Sequence, residues 1–115
     1  MIYISAPYTH KDISVIDNRM TRVTKYSAHL LLNGEHIICP LTMGHAFSYK
    51  KQMPNSQEFW MKWCYALLSK CDVMHVLQIP GWEISDGVQK EIKYCEENNI
   101  KIIYVSLENV ERLLY

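Results

Sequence analysis

Four short β-prone runs alternate along the chain with stretches of helical period. They are MIYISA (1–6), EHIIC (35–39), DVMHVL (72–77) and IKIIYVS (100–106). From 12 to 33, Ile16, Met20, Val23, Ser27, Leu30 and Leu31 fall on one helical face, with Asp12 as N-cap and Gly34 as the C-terminal stop. Asn55 or Ser56 caps a second helical stretch reaching about 70, whose stripe is Phe59, Trp60, Trp63, Cys64, Leu67 and Leu68. The turn PGWEISDG leads to a third over 86–98, and a short fourth closes the chain at 107–113. Residues 40–55 hold Pro40, Gly44 and Pro54 and read as an irregular loop, in which Thr42, His45, Tyr49, Lys50 and Lys51 suit a ligand.

This βαβαβαβα order predicts a parallel sheet with right-handed crossovers. The expected architecture is α/β: a small doubly wound (flavodoxin- or Rossmann-like) four-stranded sheet of order 2-1-3-4, helices on both faces, in one domain spanning 1–115. Near-continuous apolar strands such as IKIIYV fit burial on both faces. In such sheets the ligand sits beyond the carboxyl ends of the strands, where strand order reverses. That point falls between strands one and three, flanked by the loops APYTHKD and QIPGWEISDG.

Composition narrows the function. Apolar residues make up 49% of the 115, enough for a core without disulfide or metal staples. Twelve basic residues balance twelve acidic ones, with no like-charge block, which argues against a nucleic-acid polymer as partner. Cys39, Cys64, Cys71 and Cys95 form no CxxC pair and read as small core residues of a reducing compartment. The five histidines are scattered, so no metal site and no cofactor is expected; His29, His36 and His75 read as structural. No apolar run approaches membrane-spanning length and no leader is read, so the expected setting is cytoplasmic, with no membrane partner.

Glu91 is the anomaly. Val88, Glu91, Ile92 and Cys95 stand at i, i+3, i+4 and i+7, which is one inward face. The positions three and four away are Gly87, Val88, Tyr94 and Cys95, so no basic residue on the helix neutralises the carboxylate. Either the helix is rotated and Glu91 is solvated at its edge, or a buried carboxylate near the cleft has a partner or a task.

Three stretches resemble the nucleoside 2-deoxyribosyltransferase-like family, which includes deoxynucleoside 5′-monophosphate N-glycosidases and small phage and bacterial proteins. IYISAPYTH is similar to the family's opening strand and loop, CDVMHVL to a strand starting with alanine or cysteine then Asp, and SDGVQKEI to a "(D/S)-x-G-(T/V)-x-x-E" signature. In order and spacing they cover nearly the whole chain. The resemblance implies the same doubly wound fold and makes Glu91 the nucleophile, attacking the anomeric carbon of a (deoxy)ribose. A fixed negative charge suits the oxocarbenium-like transition state of that reaction. Asp72 matches the family's second, proton-handling carboxylate. Ser85, six residues before Glu91, matches the serine of members that hold a 5′-phosphate together with the Gly87 amide; members that handle nucleosides carry Asp there. A helix N-terminus favours an anion as well. Ser85 and Asp86 also suit plain capping, with Gln89 completing a capping box.

Around these, Ser5, Ala6 and Pro7 form the first loop's entry. Tyr8 is expected to orient Glu91 or pack on the sugar, and His10 to reach the ligand. Arg19 suits a phosphate, although an exposed arginine is the commoner case. His45 and Trp82 are candidates to contact the base. The resemblance implies a homodimer or higher homo-oligomer whose neighbour completes the site through its C-terminal segment, with Tyr115 a candidate; part of the Phe59–Trp60–Trp63 stripe suits that interface. The chain departs from the family in Ala6-Pro7, which lacks the usual glycine, and in Pro80-Gly81-Trp82-Glu83, which adds an acid. Three readings follow: a hydrolase releasing the base of a (deoxy)nucleoside 5′-monophosphate, a transferase exchanging bases, or a non-catalytic nucleotide-binding module.

Overall fold

A computed structural model describes residues 1–48, 53–54 and 56–113. Tyr49, Lys50, Lys51, Asn55 and Tyr115, named above as candidates, lie outside the described residues. The strands are β1 (Ile2–Ser5), β2 (Ile37–Ile38), β3 (Val73–Leu77) and β4 (Lys101–Val105), and the helices are α1 (Ile13–Leu32), α2 (Pro40–Ser48), α3 (Gln57–Leu68), α4 (Asp86–Glu97) and α5 (Leu107–Glu111). All strand pairs are parallel and the order is β2-β1-β3-β4, the doubly wound sheet expected. Ile2 pairs with Ile37 on one side and Val73 on the other, and Val73 pairs in turn with Lys101.

Side chains alternate across the sheet. Ile2 and Ile4 of β1 face a core with Val23 and Tyr26 of α1, Leu77 of β3 and Val110 of α5. Tyr3 faces the opposite core, built with Met74 and Val76 of β3, Leu68 of α3, and Val88, Ile92 and Cys95 of α4. The layer holding α3 and α4 therefore receives whatever the odd positions of β1 carry. On α1, Asp12 caps the first turn by accepting from the Ser14 amide, and Gly34 follows the helix at φ +85°. Leu31 is exposed instead of buried, while Arg19 and Tyr26 take inward places.

Two expectations are corrected. Residues 40–48 are a helix and not an irregular loop. Pro40 is its first residue, where a missing N–H costs nothing. Gly44 lies against α3, where a Cβ would stand 3.7 Å from the Trp60 ring and 3.9 Å from that of Trp63. The other correction concerns β4. As an edge strand it leaves Ile103 38% and Tyr104 48% exposed, so its apolar run is not covered on both faces. No helix of the described residues is long and apolar enough to cross a membrane. Among those residues no cluster of His, Cys, Asp and Glu is suited to hold a metal ion.

Candidate active site

Glu91 is 7% exposed, so the spacing argument holds and the rotated-helix alternative does not. Its carboxylate turns from α4 toward the sheet and meets the two odd-numbered side chains of β1. The Tyr3 hydroxyl donates to Oε2, and the Ser5 hydroxyl donates to Oε1 at 2.7 Å. Burial pushes the Glu91 carboxyl up to about 7, against the pull of the Tyr3 and Ser5 hydrogen bonds, which favour the ionised form. The Tyr3 phenol is pushed well above its ordinary value by burial and by the neighbouring carboxylate, so it stays a donor. One carboxylate is thus fixed in orientation by two donors and stands near its own midpoint at neutral pH.

It lines a cavity of about 350 Å³, within the range that suits small-molecule ligands. The walls come from three directions. The loop after β1 contributes Ala6, Tyr8 and Thr9; α2 and α3 contribute His45, Trp60, Met61, Trp63 and Cys64; the start of α4 contributes Ser85 and Gly87. The sheet order explains the layout. α2 follows β2 and α4 follows β3, so they flank the carboxyl end of β1 from opposite sides. The lining combines aromatic side chains with the start of a helix. Ser85 caps that helix, its Oγ accepting from the Val88 amide at 3.3 Å, while its own hydroxyl proton stays available as a donor. The first-turn amides of Asp86 and Gly87 have no carbonyl to meet within the helix.

On the same lining, the Tyr8 hydroxyl and His45 Nδ1 are 2.7 Å apart, with the rings edge to face at 5.6 Å. Cys64 also reaches the cavity, but burial pushes its thiol up to about 11, so it is no thiolate nucleophile at neutral pH. The arrangement is equipped for nucleophilic or basic chemistry by one carboxylate.

The structure gathers Glu91, Ser5, Ala6, Tyr8, His45, Ser85 and Gly87 at this place. Pro7 is buried just behind the loop. The remaining candidates stand elsewhere. Asp72 precedes β3 and therefore sits at the amino end of the sheet, away from the cavity; its carboxylate meets the Met1 ammonium at 2.7 Å, which holds it below the usual carboxylate range. Trp82 packs beside Tyr104 of β4, with ring centroids 5.7 Å apart, and not in the cavity. His10 is exposed and accepts from the Asp12 amide, and Asp86 is exposed in the first turn of α4. Arg19 is buried, but its guanidinium donates to the carbonyls of Tyr8 (3.4 Å), Thr9 (3.0 Å) and Pro80 (3.1 Å), which ties the two site loops together. Tyr3, Trp60 and Trp63 were not among the site candidates. The alternation that pairs Tyr3 with Ser5 on one strand face carried the signal for Tyr3.

A search of curated proteins finds no match to the chain. A family profile, described as "Domain of unknown function (DUF1937)", matches residues 1–107. With nearly its whole length matched, this chain belongs to the DUF1937 family.

Proposed function

We propose that the chain hydrolyses the N-glycosidic bond of a (deoxy)nucleoside 5′-monophosphate, releasing the free base. The observation that carries this reading is Glu91: a buried carboxylate, oriented by Tyr3 and Ser5, on the lining of a nucleotide-sized cavity. A phosphate suits the amides at the start of α4 and the Ser85 hydroxyl, and a planar base suits the Trp60 and Trp63 rings, all of them on the lining. The sugar then lies between them, over the carboxylate. Ionised Glu91 attacks the anomeric carbon, the bond to the base breaks with its electron pair going to the base, and water later displaces the ester to restore the carboxylate. The likeness of IYISAPYTH, CDVMHVL and SDGVQKEI to the deoxyribosyltransferase-like family supports the same chemistry.

The test is chromatography of free base after incubation with ribo- and deoxyribonucleoside 5′-monophosphates and the matching nucleosides, with and without an acceptor base. Base released from monophosphates in water, and lost in Glu91→Gln, is the expected result. Products formed only with an acceptor make the chain a transferase instead. One observation favours the binding-module reading: among the described residues, Glu91 is the only carboxylate lining the cavity, since Asp72 stands elsewhere. That reading predicts binding without turnover and tolerance of Glu91→Gln. A homo-oligomer belongs to the same proposal, with the exposed Phe59 (43%) at its contact; sedimentation velocity of the wild type against Phe59→Ser tests it.

A further inference from the structure

Cleavage of a glycosidic bond to a base leaves electrons on a ring nitrogen, and the departing base needs a proton unless it is already cationic. Glu91 is occupied as nucleophile, and no second carboxylate lines the cavity among the described residues. The lining does hold another proton-handling pair. Tyr8 and His45 come from different elements, the loop after β1 and α2, yet their polar atoms meet at 2.7 Å. Both line the cavity, whose lining also includes Trp60 and Trp63. Gly44, one residue before His45, packs on those two rings, so α2 and the rings are one unit. Arg19 holds the Tyr8 backbone carbonyl, which limits how far the phenol can wander.

The geometry points to Tyr8 as the catalytic acid toward the leaving base, with His45 as the positioning residue that supplies its proton. This rests on the N-glycosidase reading above. In the first step Glu91 bonds to the anomeric carbon as the bond to the base breaks. The base nitrogen takes the Tyr8 hydroxyl proton, and Tyr8 takes the Nδ1 proton of a His45 imidazolium. In the second step water attacks the anomeric carbon, Glu91 leaves as carboxylate, and the water's proton returns through Tyr8 to His45, or passes to solvent where a cationic base has left without taking a proton. The sum is nucleotide plus water giving base plus sugar phosphate, with no other reactant. A substrate class follows: departure of a neutral base depends on the pair, whereas departure of a base with a fixed positive charge does not.

The experiment compares guanosine 5′-monophosphate with its 7-methyl analogue, in ribo and deoxy forms, on wild type, Tyr8→Phe, His45→Gln and Glu91→Gln. The methylated base leaves neutral without being protonated. Loss of a general acid is expected to slow the plain substrate by about 100-fold in Tyr8→Phe and His45→Gln. In kcat/KM for base release, which covers only the steps up to departure of the base, the methylated substrate is expected to change by no more than about 3-fold, because that departure never used the proton. Glu91→Gln is expected to lose both. Equal losses on the two substrates in Tyr8→Phe, with His45→Gln behaving alike, overturn the proton relay and leave a structural clasp, while the glycosidase stands. Base release from neither substrate by the wild type, or retained in Glu91→Gln, overturns the glycosidase reading and the relay with it.

Discussion

At Glu91 three demands meet in one side chain: burial, orientation and ionisation. A carboxyl brought up to about 7 is half ionised near neutral pH, and in the proposed reaction only the ionised form attacks carbon. The apparent kcat/KM is therefore expected to rise with pH through about 7 and then level, as far as this group is concerned. Tyr3→Phe removes a donor that favours the carboxylate, so it moves that limb to higher pH by roughly one unit, since a hydrogen bond to a charged group is worth about 1.5–3 kcal/mol. A pH profile of base release measures the shift, and a limb that stays in place or moves down contradicts it. Glu91 was legible because nothing basic stands three or four residues away. Tyr3 is marked only by strand alternation, since a tyrosine in a β-prone run passes as core. Asp72 stands apart from the cavity for a topological reason. It is adjacent in sequence to a site strand, but residues before a parallel strand lie at the end opposite to those after it.

Elements set where these residues stand. Arg19 is on α1, on the far side of the sheet from Glu91, yet it binds carbonyls of both loops that shape the cavity. Its three hydrogen bonds have no carboxylate among their acceptors, so the guanidinium acts as a brace. Arg19→Met is expected to lower stability by about 2 kcal/mol, the scale of hydrogen bonds made by a charged group, and to weaken substrate binding; urea unfolding and KM check it. Gly81 belongs to the same brace. Its φ is +100°, and a Cβ there would lie 2.4 Å from Arg19 Nη2. Gly81→Ala therefore combines strained backbone with a displaced guanidinium and is expected to cost roughly 1–3 kcal/mol. A variant as stable as wild type contradicts this. The strands and three longer helices were readable from periodicity and caps such as Asp12 and Ser56, which accept hydrogen bonds from Ser14 and Phe59. α2 was not, because Pro40 and Gly44 resemble breakers; one is harmless at a helix start, and the other makes room for Trp60 and Trp63.

For the molecule as a whole, the sheet order is what places the candidate site in the fold. With β1 between β2 and β3, the loop after β1 meets α2 on one side and the start of α4 on the other, and the cavity opens where they part. The global stability carries the mark of this site. Glu91 ionises at about 7 when folded and near 4.5 ordinarily, so between those values the folded state holds the extra proton. Stability from this group is full below about 4.5 and falls as pH rises to about 7, by on the order of 3 kcal/mol at ~1.4 kcal/mol per unit. Denaturant unfolding of wild type, referenced at each pH to Glu91→Gln, is expected to show that decline; a difference that is flat or rises with pH contradicts a buried, raised carboxyl. The most direct test of the central claim is a trapped ester. The protein is incubated with a 2′-fluoro-arabino nucleoside 5′-monophosphate, whose fluorine slows displacement of the sugar, then digested and mapped by mass spectrometry. A sugar phosphate on the peptide containing Glu91, absent in Glu91→Gln, is the predicted result. Base release without any adduct, or an adduct on another residue, contradicts Glu91 as the nucleophile.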